Sequence, residues 1–105
     1  MDSEVVAAIL QLGKGEEAVL ATIVATKGST PRKAGAQVLF YRDGRTAGTI
    51  GGGCGEAEVR QHAFKTLRTQ TPVMVQVNLT HDVAEEDGMV CGGIMDVFLE
   101  PLLGE

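Results

Sequence analysis

The chain has 105 residues, 44% hydrophobic and 22% charged, which fits one folded domain with a modest core and excludes a disordered chain. Its formal charge of −5 argues against nucleic acid as a ligand, since phosphate-backbone partners call for a basic face. The start, Met1-Asp2-Ser3-Glu4, is acidic where a secretory signal needs a basic region, and no apolar run reaches membrane-spanning length; the chain therefore reads as cytoplasmic, without a membrane partner and with reduced cysteines.

The elements follow in order. Residues 3–12 read as a helix: Asp2 or Ser3 caps it, Val5, Val6, Ile9 and Leu10 form its apolar stripe, and Gly13 ends it. Residues 17–26 are β-branched and almost continuously apolar, the pattern of a central strand covered on both faces. A donor-rich loop, Gly28 to Gly35, leads to a strand over 36–41, and Asp43-Gly44 signals a hairpin into a return strand over 45–50.

From Glu56 to about Thr69 the spacing turns helical, with Val59, Ala63, Thr66 and Leu67 on one face and Thr71-Pro72 as the stop. Val73, Val75, Val77 and Leu79 then alternate with Met74, Gln76 and Asn78, as in a half-buried strand. Residues 80–87 are acidic and polar and read as a loop with room for one helical turn. Residues 94–99 form a last strand, closed by Pro101. No βαβ series repeats, so the expected fold is α+β: a mixed or antiparallel sheet of about five strands with two main helices packed on it.

Fourteen glycines are about twice the usual ~7% share, and they gather around the two cysteines and the turns. One cluster is Gly48-Thr49-Ile50-Gly51-Gly52-Gly53-Cys54-Gly55-Glu56, at the predicted start of the second helix; another is Gly88-Met89-Val90-Cys91-Gly92-Gly93. A glycine turn at a helix start presents free amides that suit an anion, and a thiol there ionises more easily. The alternative is that Cys54 and Cys91 are small buried apolar residues in glycine packing contacts. The residues alone leave both readings open.

Other chemistry is weaker. Cys54, Cys91, His62 and His81 are zinc-ligand types, but without paired Cys-x-x-Cys or His-x3–5-His spacing no metal site is assigned. His81-Asp82 has the composition of an acid–base pair and equally that of a turn hydrogen bond. The glycine stretch lacks the Gly-Lys-Ser/Thr of a phosphate loop and the Gly-x-Gly-x-x-Gly of a dinucleotide site. Ser29, Thr30, Arg32 and Lys33 combine hydroxyls and cations that suit a phosphate or carboxylate, or else form a solvated turn.

Three stretches in register carry a resemblance: Gly28-Ser29-Thr30-Pro31-Arg32-Lys33-Ala34-Gly35-Ala36, then 48–56, then Cys91-Gly92-Gly93-Ile94-Met95-Asp96-Val97-Phe98-Leu99-Glu100-Pro101. In that order they resemble the N-terminal domain of the xanthine dehydrogenase accessory (XdhC/CoxI) family, from about residue 3 to the end. The resemblance implies a non-catalytic accessory protein, with no catalytic residue assigned, that binds the molybdenum cofactor (molybdopterin) transiently and passes it to a xanthine dehydrogenase-like molybdenum hydroxylase.

It makes Cys54 and Cys91 the candidate cofactor contacts, with Gly51, Gly52, Gly53, Gly92 and Gly93 shaping the site and Ser29, Thr30, Arg32 and Lys33 holding an anion. Gly55 stands where the family often carries a larger residue. Longer members continue into a Rossmann-like domain, and residues 1–105 are expected to be a single domain without it, so a separate Rossmann-domain partner or a homodimer is expected to complete the surface. The other classes kept open are a thiol-dependent or nucleotide-linked redox enzyme centred on the cysteines, and a pure interaction module. The sharpest expectation is spatial: Cys54 and Cys91 line one pocket, with loop 29–33 at its rim.

Overall fold

The computed structural model describes residues 2–53, 55–80, 83–84, 89–90 and 92–105. Asp2 caps α1 (Ser3–Leu10), its carboxylate accepting from the Glu4 amide at 3.2 Å. The helix stops at Leu10, with Gln11 as its C-cap, short of the expected residue 12.

Five strands form one antiparallel sheet: β1 (Glu17–Lys27), β2 (Gln37–Tyr41), β3 (Thr46–Gly48), β4 (Val73–Asn78) and the long strand Ile94–Leu103. A second, two-stranded sheet pairs β5 (Val83–Ala84) with β6 (Met89–Val90), so the long strand is β7. The order across the main sheet is β3-β2-β1-β7-β4, and α2 (Glu56–Thr69) joins β3 to β4. The fold is therefore α+β: among the described residues, a main sheet of five antiparallel strands, a two-stranded sheet and two helices. Among the described residues no helix is long and apolar enough to cross a membrane.

β1 owes its continuous apolar run to its place beneath both helices. Val19, Ala21 and Ile23 face α2 and pack with its Val59, Ala63 and Leu67, together with Val38, Phe40, Val97 and Leu99. Ala18 and Leu20 point the other way, into a smaller core with Leu39 and with Val5 and Ala8 of α1 and Leu12 beyond it. Val59 is fully buried and Leu67 nearly so, each contributing about 2 kcal/mol through its apolar area.

The Asp43-Gly44 hairpin forms as its residues dictate. Gly44 takes a positive φ of 95°, the Tyr41 amide donates to the Arg45 carbonyl at 2.9 Å, and Asp43 accepts from the Arg45 amide at 3.0 Å and its Nε at 2.7 Å. The Arg45 amide, and then its guanidinium, hold the Asp43 carboxyl below its ordinary value.

Besides shifts of a residue or two at other ends, the sequence reading differs in three places. β3 ends at Gly48, short of the expected residue 50, where φ turns to +79°. Residues 83–84 lie in a short strand pair, not in a loop or helical turn. β7 continues through Pro101 to Leu103, with Pro101 opposite Val19. Proline is tolerated there because β4 reaches only as far as the Val73–Leu99 pair, so beyond it β7 has a neighbour on one side alone.

Candidate functional site

The three glycine-rich stretches leave the sheet at the same end. Lys27 of β1 and Asn78 of β4 both pair with Ile94 of β7, and Gly48 closes β3 opposite Val38 near the start of β2. Loop 28–35, loop 49–55 and the segment ending at Gly92-Gly93 therefore share one rim. Cys54, Cys91 and His81 lie outside the described residues, as does the expected meeting of the two sulfurs.

Three contacts tie the loops together. The Arg32 guanidinium donates to the Thr49 carbonyl at 2.9 Å and lies 3.9 Å from the Asp2 carboxylate, linking loop 28–35 to loop 49–55 and to the start of α1. Gly93 is buried against loop 28–35: a Cβ there would fall 2.6 Å from the Lys27 carbonyl oxygen, the Ser29 carbonyl oxygen and Thr30 Cγ2. The Gly93 carbonyl accepts from the Leu79 amide at 2.8 Å, which anchors the other side of the same turn.

Gly55 ends the glycine loop in the left-handed region, at φ 83°, as the N-cap of α2. A Cβ there would come within 2.8 Å of Leu79 Cδ2 and 2.9 Å of Val77 Cγ1, so both the backbone angle and the packing favour glycine. Gly52 and Gly53 are exposed, as is Gly92, and a Cβ on any of the three would meet no described atom within 4 Å. Among the described residues nothing covers the backbone of these three glycines.

The Ile50, Gly51 and Gly52 amides of the glycine loop are engaged within the chain. Glu56, the first residue of α2, accepts from the Thr49 hydroxyl at 3.0 Å and the Ile50 amide at 3.3 Å. Thr49 Oγ1 in turn accepts from the Gly51 and Gly52 amides, both at 3.1 Å. Thus the Glu56 carboxylate reaches back from the first turn of α2 to the loop that precedes it. Neither Thr49 nor Glu56 is marked as functional by the sequence reading, since a bond reaching back from α2 into the loop has no fixed spacing.

The cations remain on the surface. Lys33 and Ser29 are exposed and Arg32 is partly so. Arg32 and Lys33 line a depression of about 540 Å³ with Asp2 and the backbone of 34–36. Thr30 is half-buried, and its hydroxyl donates to the Arg32 carbonyl at 2.8 Å, shaping the turn that presents Arg32. Among the described residues no three His, Cys, Asp or Glu side chains gather as a metal-holding group. Among the described residues the rim can thus offer an anionic ligand the Arg32 and Lys33 cations, the Ser29 hydroxyl and exposed glycine backbone.

Residues 11–78 match the family model described as the XdhC and CoxI family. The chain is 41% identical over 92 residues to a Bacillus subtilis (strain 168) protein named as a probable subunit of xanthine dehydrogenase, across 86% of this chain and 28% of that protein. It is 38% identical over 60 residues to the molybdenum cofactor insertion chaperone PaoD of Escherichia coli (strain K12), across 57% of this chain and 19% of that one. A crystal structure described as a xanthine dehydrogenase from Bacillus halodurans superposes with a TM-score of 0.78 at 34% identity, over 93% of this chain and 29% of that chain. The chain spans less than a third of the length of each of these relatives.

Proposed function

The chain belongs to the XdhC and CoxI family, and from that premise we propose that it serves the maturation of a molybdenum hydroxylase by binding the molybdenum cofactor transiently and helping to deliver it to a xanthine dehydrogenase-like apo-enzyme. The reading is supported by the relative named as a molybdenum cofactor insertion chaperone. The structural observation that carries it is the shared rim, where loops 28–35 and 49–55 and the Gly92-Gly93 turn are bound to one another at one end of the sheet.

The residues present fit such a cargo in two respects. Lys33, Arg32 and Ser29 suit its phosphate, and they do so in place of the Ile50, Gly51 and Gly52 amides, which Glu56 and Thr49 engage. The uncovered backbone of Gly52, Gly53 and Gly92 leaves space for a flat ring system to lie against the chain. The cofactor supplies a molybdenum–dithiolene centre, and the soft thiolates of Cys54 and Cys91 are this chain's candidates to meet the metal or its sulfur. Gly51 and Gly93 act by shaping the loops, and Thr30 by fixing the turn of Arg32. A carrier must also release its cargo, which suits open-rim contacts better than a closed metal cage. In this reading the domain works without catalysing a reaction, and a second copy or a separate Rossmann-domain chain closes the open side of the rim.

The test is retention of molybdenum and pterin by the purified chain under reducing, anaerobic conditions, with cofactor released from a molybdoenzyme. Wild type retains both, up to one per chain, and Cys54→Ala and Cys91→Ala each weaken retention about tenfold, the loss of one charged contact. Absence of binding by the wild type, or binding indifferent to both substitutions, contradicts the reading.

A further inference from the structure

β4 is one edge of the main sheet, and among the described residues no strand pairs with its outer side. Natural sheets blunt such edges with charges, proline or bulges. Val-Met-Val-Gln-Val-Asn has none of these inside the strand, and the whole run 69–80 is uncharged in a chain of net charge −5. Val73 is 40% exposed and Met74, on the other face, 53%. An edge with free main-chain groups and apolar flanks is suited to receive another strand.

Beside this edge, on the α2 face, lies a groove of about 410 Å³. Its floor is Pro72, Val73 and Val75 of the edge, and its wall is His62, Lys65 and Thr66 of α2. No carboxylate lines it. An exposed edge strand with a helix-walled apolar groove alongside is the arrangement that takes an extended peptide. The main chain bonds to the edge, and alternate side chains enter the groove.

We propose that the β4–α2 groove binds an extended, acidic segment of a partner protein as a sixth strand, with an apolar side chain on Val73 and Val75 and a carboxylate against Lys65. Charge selects this occupant. Lys65 is the one formally charged side chain lining the groove, so a second copy would bring only another lysine to it, whereas an acidic segment meets Lys65 directly. The groove sits at the end of β4 where Val73 pairs with Leu99, away from the loop rim, where Asn78 pairs with Ile94. A partner held there leaves the rim open.

The probe is a short peptide in which serine alternates with valine or glutamate, so that valine and glutamate share one face of a strand. A matched peptide carries lysine in place of glutamate. Titrated into the isotope-labelled full chain, the glutamate peptide is expected to shift amide resonances of 72–78 and 62–66. Lys65→Glu weakens it about tenfold and transfers the preference to the lysine peptide, since an attraction becomes a repulsion. Val73→Lys, which blocks the floor without changing the sign of the wall, weakens both peptides. Three outcomes overturn the proposal: no shift at millimolar peptide, equal binding of both peptides to wild type, or a dimer in sedimentation that Val73→Lys dissociates. None bears on cofactor retention, so failure here is distinguishable from failure of the proposed function.

Discussion

The Glu56 carboxylate accepts from the Thr49 hydroxyl and the Ile50 amide, and the same hydroxyl accepts from the Gly51 and Gly52 amides. Four donors of the glycine loop are therefore held, directly or through one hydroxyl, by the first residue of α2. Removing the carboxylate leaves only the Thr49 hydroxyl and the Ile50 amide without their acceptor, and the exposed hydroxyl turns to water, so the cost is modest. Glu56→Ala is expected to lower stability by about 1–2 kcal/mol, read from the urea midpoint at unchanged slope. Glu56→Gln, which keeps an accepting oxygen in place, recovers most of that loss. An equal effect of the two substitutions would mean that the charge, and not the accepted bonds, holds the loop.

At the scale of elements, β7 begins where Gly93 presses on loop 28–35. A Cβ at Gly93 would strike two backbone oxygens, which cannot swing aside as a side chain can. Gly93→Ala is therefore expected to cost about 3 kcal/mol in thermal or urea unfolding, at the upper end of ordinary overpacking. A loss below about 1 kcal/mol would show that the loop yields easily. The elements differ in how far their residues declare them. α2 is fully legible: Val59, Ala63, Thr66 and Leu67, read from a 3.6-residue spacing, are its buried residues. β1 is legible as well, because helices on both faces demand an unbroken apolar run. β7 is legible to Leu99 only. Its continuation through Pro101 depends on where a different strand, β4, stops, and no local pattern carries that information. Strands of two residues, 83–84 and 89–90, are too short for any period to register. The glycines and the Arg32-Lys33 pair announce the rim itself. Its closure by Thr49 and Glu56 stays hidden, because a hydrogen-bonded relay depends on side-chain positions that spacing does not encode.

Across the whole molecule, about 43 Å in its longest dimension, the two proposed surfaces are separated. The loops gather at one end of the sheet, and the basic groove lies along the β4 edge toward the other end. Such an arrangement lets one chain hold a cargo and a partner at once, as a delivery protein must. The central claim is that the glycine-loop rim is where the cargo binds. It is tested most directly by amide hydrogen exchange of the full chain under reducing, anaerobic conditions, with and without molybdenum cofactor. Slowed exchange is expected to be confined to 28–35, 49–55 and 92–93, and Cys54→Ala is expected to demand about tenfold more cofactor for the same slowing. Slowed exchange along 62–78 with the rim unchanged, or no change anywhere in the chain, would contradict it.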